Sequence, residues 1–172
     1  VLDEAHAVLG PALSTTASTP DHVLRAGTLS KTLGAPGGFV AASHDVVELL
    51  VNRARPFIFT TAPTPADTSA AAAALDIVQS SEGIELRAKL RRHVDRVAPG
   101  HPSPIVPVIL GSEQVALDAS AALLDEGLLV PAIRPPTVAP GTSRLRVALS
   151  AAHSDEHVAR LVAALSTLQV TK

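Results

Sequence analysis

The chain has 172 residues, 47% of them hydrophobic, with a formal net charge of -2 and no cysteine. That charge gives no nucleic-acid footprint, the missing thiols exclude disulfides and thiolate metal sites, and no run of about 20 apolar residues marks a membrane span. With three Phe and neither Trp nor Tyr, the packing falls to Ala, Val and Leu, which need close approach of helices to sheet.

Val1-Leu2 reads as the end of a buried strand, with Asp3 to His6 just past it. Residues 11–22, carrying Ser, Thr and Pro, read as a loop, and His22 to Leu29 as a second short strand. Gly37 to Ala42 is a third, an apolar run bounded by glycines. Asp45 to Arg53 spaces Val46, Val47, Leu49, Leu50 and Val51 as a helix does, behind Ser43 or Asp45 as cap. Phe57-Ile58-Phe59-Thr60 reads as another short strand. Pro63 and Pro65 then introduce a long helix from about Ala66 to Val97, with an interruption point at Ser80 to Gly83 and a strongly helix-forming alanine run. Its Arg87 to Arg96 stretch reads as a solvated basic face.

Pro99 to Pro104 punctuates the chain as a subdomain boundary. Beyond it, Ile105 to Leu110 reads as a strand, Ser112 to Glu126 as a helix, and Leu128 to Ile133 and Leu145 to Leu149 as strands. A final helix, Asp155 to Leu168, is capped by Ser154 and carries acids in its first turn, where the helix dipole favours them. The expectation is an α/β protein in three parts: residues 1–65, a connecting helix over 66–98, and a small α/β domain over 99–172. His153 and His157 have a spacing that can bind zinc. With the Ser154 cap between them and no third ligand indicated, no metal site is expected.

The chemistry concentrates in two motifs. One is Gly27-Thr28-Leu29-Ser30-Lys31-Thr32-Leu33-Gly34-Ala35-Pro36-Gly37-Gly38. Hydroxyl residues three and one positions before a lysine, with glycines after it, suit a lysine that forms an imine beside a phosphate. The other is Val1-Leu2-Asp3-Glu4-Ala5-His6, which suits a carboxylate delivered at a strand end. Together they point to the cofactor half of a pyridoxal-phosphate enzyme. Such an enzyme needs a lysine for the aldehyde, an acid to keep the pyridine nitrogen protonated, a donor for the phenolic oxygen and donors for the phosphate. Lys31, Asp3, His6, and Thr28 with Thr60 or Thr61 fill these posts in turn. Singly, Lys31 reads as a surface lysine and Asp3 as a strand-end cap; the ordered set is what carries specificity.

These motifs, with Arg55-Pro56-Phe57-Ile58-Phe59-Thr60-Thr61, Arg144-Leu145-Arg146 and Ser150-Ala151-Ala152-His153, resemble the α-oxoamine synthase family, within fold type I of the pyridoxal-phosphate enzymes. The motif order matches from end to end. The resemblance implies part of a large cofactor-binding domain over 1–65 and a small carboxy-terminal domain over 99–172. It implies Lys31 as the imine lysine, Asp3 as the pyridinium partner, His6 as the ligand of the phenolic oxygen and Thr28 as a phosphate ligand. Thr60 and Thr61 match the segment that reaches the phosphate of the other subunit in a homodimer. Arg146 matches the residue that grips the amino-acid carboxylate, with Arg144 next in line. Ala132-Ile133-Arg134-Pro135-Pro136-Thr137-Val138 looks most like the family member that condenses L-alanine with a pimeloyl thioester, pimeloyl-CoA or a pimeloyl carrier protein, in biotin synthesis. The alternatives are a sibling synthase acting on glycine or serine, such as glycine C-acetyltransferase, and a catalytically inactive fragment. A cytoplasmic location is implied, without nucleic acid or membrane. Family chains carry a long segment before the Asp-x-Ala-His strand, so the chain is read as an amino-terminally truncated piece, expected to show little or no synthase activity alone.

Overall fold

A computed structural model describes residues 1–6 and 22–168. The loop read over 11–22, except His22, lies outside the described residues. The chain divides into two compact units, Val1–Gly83 and Ile84–Lys172.

The first unit begins with a three-stranded sheet of β1 (Leu2–Asp3), β2 (Arg25–Thr28) and β3 (Gly38–Ala41), in that order. β1 runs parallel to β2 with Asp3 opposite Ala26, and β3 runs antiparallel to β2 with Thr28 opposite Gly38. The strand read as buried at Val1-Leu2 is instead an exposed edge, with Leu2 51% accessible, because β1 pairs on one side only among the described strands.

α1 (His44–Arg53) follows Ser43, whose side chain makes no capping bond. α2 (Arg55–Ile58) then occupies the stretch read as a strand at Phe57 to Thr60. Pro56 sits in its first turn, where a missing N–H is no loss, and the Ala54 and Arg55 carbonyls accept from Phe57, Ile58 and Phe59. Those three N–H groups are spent within the helical turn and are not available to a ladder. The long connecting helix divides at the interruption read over Ser80 to Gly83, into α3 (Pro65–Gln79) and α4 (Ser81–Val97). Ser80 breaks them with extended backbone. Thr64 caps α3 by accepting from the Asp67 N–H at 3.2 Å.

The second unit takes α4 from Ile84 onward, then β4 (Ile105–Gly111), α5 (Glu113–Asp125), β5 (Ala132–Ile133), β6 (Ser143–Ala148) and α6 (Asp155–Thr167). Its antiparallel sheet has the order β4-β6-β5. Strand alternation buries Ser143, Leu145 and Val147 of β6 and turns Arg144 and Arg146 to the opposite face. Val94 of α4, Ala119 and Leu123 of α5, and Leu161 and Ala164 of α6 join Val106, Leu145 and Val147 in one core. The strand read over Leu128 to Ile133 contracts to two residues. The cause is local: the Leu128 N–H goes to Leu123 O at 2.8 Å and Ser120 Oγ donates to Val130 O at 2.7 Å, so these residues finish α5.

Candidate active site

Parallel β1 and β2 end at the same side of their sheet, so Asp3 and Thr28 emerge together, with Lys31 three residues further on. The carboxyl ends of parallel strands are where open α/β sheets bind ligands. Thr28 Oγ1 is the hub of the lysine turn. It accepts the Ser30 N–H at 3.1 Å, lies 2.8 Å from Ser30 Oγ and donates to Gly37 O at 3.1 Å. The Leu29 N–H also reaches Gly37 O, and the Ala35 N–H reaches Leu29 O, both at 3.0 Å. Leu33 and Ala35 are buried at 7% and 1% exposure. These anchors hold the turn from beneath while Ser30, Lys31 and Thr32 stay exposed.

Two glycines have specific work here. Gly37 lies at φ 123°, a left-handed value that disfavours any side chain. Gly27 faces the Phe39 ring, into which a Cβ would project.

Asp3 Oδ1 accepts the Ala5 N–H at 3.0 Å, which shapes the turn leading to exposed His6. Glu4, given no role by the sequence motifs, grips Arg25 with two bonds at 3.0 and 2.8 Å and ties the end of β1 to β2. Such a fork fixes direction as well as distance. Thr60 and Thr61 do not lie on this strand end; they occupy the exposed segment between α2 and α3.

In the second unit, Arg146 and Arg144 share the outward face of β6. Arg144 Nε is already spent on Thr142 O at 2.9 Å. Among the described residues no hydrogen bond or ion pair occupies the Arg146 guanidinium, while the backbone N–H of Arg146 donates to Pro131 O at 2.9 Å. A planar fork on a fixed backbone suits bidentate recognition of a carboxylate.

One buried group escaped the sequence reading. His93 lies inside the stretch taken as solvated yet is wholly buried. Its Nδ1 is 3.2 Å from Ser150 O, and its Nε2 is 3.3 Å from Asp155 Oδ1, outside hydrogen-bond geometry. The available signal was its spacing, three residues after Leu90 and four before Val97, both packed against the core. Nearby, the Arg91 guanidinium and the Gly100 N–H hold the Asp95 carboxyl below its ordinary range.

The donor set on the first unit fits pyridoxal phosphate. An exposed primary amine at Lys31 suits the aldehyde, an acceptor carboxylate at Asp3 suits a protonated ring nitrogen, and the Thr28 and Ser30 hydroxyls suit a phosphate. Among the described residues no cluster of three or more His, Cys, Asp or Glu side chains is placed to hold a metal. None of the described helices is long and apolar enough to cross a membrane.

The family model for aminotransferase class I and II matches residues 1–165. The chain is 44% identical to an 8-amino-7-oxononanoate synthase of Bordetella petrii across 98% of its own length and 46% of the relative's. It is 46% identical to the enzyme of that name from Maricaulis maris across 99% and 46%, and 51% identical to that from Methylorubrum extorquens across 84% and 39%. The chain thus spans about half the length of the curated relatives it matches. Among solved structures, a serine palmitoyltransferase from Sphingomonas wittichii aligns at a TM-score of 0.71 with 29% identity, covering 84% of this chain and 39% of that one. A Francisella tularensis 8-amino-7-oxononanoate synthase shares the fold at a TM-score of 0.70 and 22% identity, covering 85% and 44%.

Proposed function

The chain belongs to the aminotransferase class I and II family, and on that premise we propose that it carries the lysine-bearing part of a pyridoxal-phosphate acyltransferase. The reaction is the decarboxylative condensation of L-alanine with a pimeloyl thioester to give 8-amino-7-oxononanoate, a step of biotin synthesis. The observation that carries this reading is the shared end of parallel β1 and β2, which presents Asp3 and the Thr28–Lys31 turn together. The preference for alanine and a pimeloyl thioester rests on the 44% and 46% identity to synthases of that name.

When bound, pyridoxal phosphate supplies an electron sink for charge developing at the α-carbon of an amino acid. The residues of this chain do the rest. The Lys31 amine would hold the aldehyde of the cofactor and would accept the α-proton of the amino acid. The Asp3 carboxylate keeps the ring nitrogen protonated, since an opposite charge nearby favours the charged form. His6 steadies the phenolic oxygen. The Thr28 hydroxyl binds the phosphate, and Thr60 and Thr61 serve the phosphate held by the partner subunit of a cytoplasmic homodimer. Arg146 grips the amino-acid carboxylate with two parallel bonds, which sets the bond at the α-carbon that breaks.

The test is borohydride reduction of the cofactor-loaded enzyme that carries this part, followed by peptide mapping and a thiol-release assay with pimeloyl-CoA. The expected label is on Lys31, with thiol released for L-alanine and not for glycine or serine. Label on Lys89 or Lys172 defeats the site. Release with serine or glycine and another acyl-CoA instead makes the protein a sibling synthase, and label without release for any pairing makes it an inactive cofactor-binding fragment.

A further inference from the structure

Where β6 turns into α6, two imidazoles accept hydrogen bonds from the main chain. His153 Nδ1 takes the Ser150 N–H at 3.3 Å, and His157 Nδ1 takes the Ser154 N–H at 3.4 Å. The second bond completes a capping box, with Ser154 Oγ accepting the His157 N–H at 3.1 Å. Glu or Gln normally fills that third position and accepts across the neutral range. A histidine accepts there only while Nδ1 is bare. Once it is protonated, both ring nitrogens are donors, and an N–H faces an N–H.

The ring pair and the helix end work in the same direction, against the Asp155 and Glu156 carboxylates of the same turn. The two rings stand edge to face at 6.4 Å, at a helix N-terminus where the dipole already disfavours cations. Burial, and then the neighbouring His157, His93 and Lys89, lower the His153 pKa below its ordinary value. The charged groups of α4 at this corner are Lys89, His93 and Arg96; those of α6 are Asp155, Glu156 and His157. Arg96 is bonded to the Asp155 carbonyl at 3.0 Å. His93 behaves differently from the other two rings. Its Nδ1 meets the Ser150 carbonyl, which only accepts, so that contact survives added protons.

We propose that Ser150 to His157 form an acid-sensitive latch, in which protonation of His153 and His157 releases the first turn of α6 from the end of β6. The inference does not depend on the reaction proposed above. It concerns how the second unit responds to pH.

Amide hydrogen exchange on the full chain, corrected for intrinsic rates, tests it between about pH 7.5 and about pH 5.5, which brackets the ordinary histidine range. Opening of the amides from Ser150 to Val158 should rise about tenfold relative to those of α5, the equivalent of one pKa unit. In the double variant His153→Asn with His157→Gln, side-chain oxygens take the same N–H groups at either pH, and the rise should vanish. If the double variant does not fold, His157→Gln alone should abolish the rise over Ser154 to Val158 and keep it at Ser150. An equal rise in the variants, or none in the parent, overturns the latch.

Discussion

The first unit holds Asp3, Thr28 and Lys31 yet buries only Leu33 and Ala35 among its described hydrophobic side chains, and its helices α1 and α3 bury nothing. The second unit closes a continuous core from α4, α5, α6 and the β4-β6-β5 sheet. The two are held by different forces. In the first, the lysine turn depends on short-range hydrogen bonds around Thr28 Oγ1 and on two small anchors. In the second, apolar burial dominates, at roughly 25 cal/mol per Å². The proposed site residues Asp3, Thr28 and Lys31 lie in the first unit and the continuous apolar core in the second.

The largest effects should separate these roles. Lys31→Ala should lower turnover of alanine and the pimeloyl thioester by several orders of magnitude while leaving the thermal midpoint in place, because Lys31 is exposed. Leu145→Ala should do the reverse on the stability side, costing about 2–5 kcal/mol in denaturant unfolding, because Leu145 is fully buried at the centre of the second core. A Lys31→Ala protein that keeps its activity, or a Leu145→Ala protein as stable as the parent, would dissolve the comparison.

Arg146, the proposed carboxylate clamp, is mounted on the sheet of the second unit. Arg146→Ala should raise the alanine KM about tenfold or more in steady-state kinetics, and Arg146→Lys should rescue it poorly, because an ammonium lacks the fork. Unchanged kinetics in both variants would move the clamp to Arg144.

Gly27→Ala probes packing in the thin unit. A Cβ there projects into the Phe39 ring, and such overpacking costs about 1–3 kcal/mol. The expected readout is release of the Thr28–Gly37 turn, seen as faster proteolysis near Lys31.

Smaller again, Ser154→Ala should cost about 1 kcal/mol by removing the cap of α6. Leu49→Ala on α1 should stay within about 0.5 kcal/mol, because Leu49 is 58% exposed. Equal losses in the two would mean that α1 is packed as tightly as α6.

The smallest effect is electrostatic. Asp95 is held below its usual 3.8 by the Arg91 hydrogen bond and then by the Gly100 N–H. A depressed carboxyl stabilises the fold above its unfolded value and loses that contribution as pH falls through the lower folded value. An acid titration of Asp95→Asn beside the parent should therefore converge below about pH 4. Curves that stay parallel throughout would remove Asp95 from the acid response.

The legible part of this protein was local. Lys31 with its hydroxyl and glycine flanks, Asp3 ahead of a short turn, the helices near Asp45 to Arg53 and Ser112 to Glu126, and the Ser154 cap all depend on residues within one turn of each other. Tertiary structure decided the rest. Phe57 to Thr60 had strand-like side chains, but the carbonyls of Ala54 and Arg55 took the N–H groups of Phe57, Ile58 and Phe59 first. Leu2 looked buried and lies on an exposed edge, since burial depends on what covers a strand and not on its composition. His93 looked solvated and is buried against Ser150, 57 residues away. The union of Asp3 with Thr28 at one sheet end needed parallel pairing across 23 residues, Asp3 to Ala26. Spacing within a turn is fixed by covalent geometry, whereas pairing and burial are set by whichever distant surface arrives to share the hydrogen bonds and exclude the water.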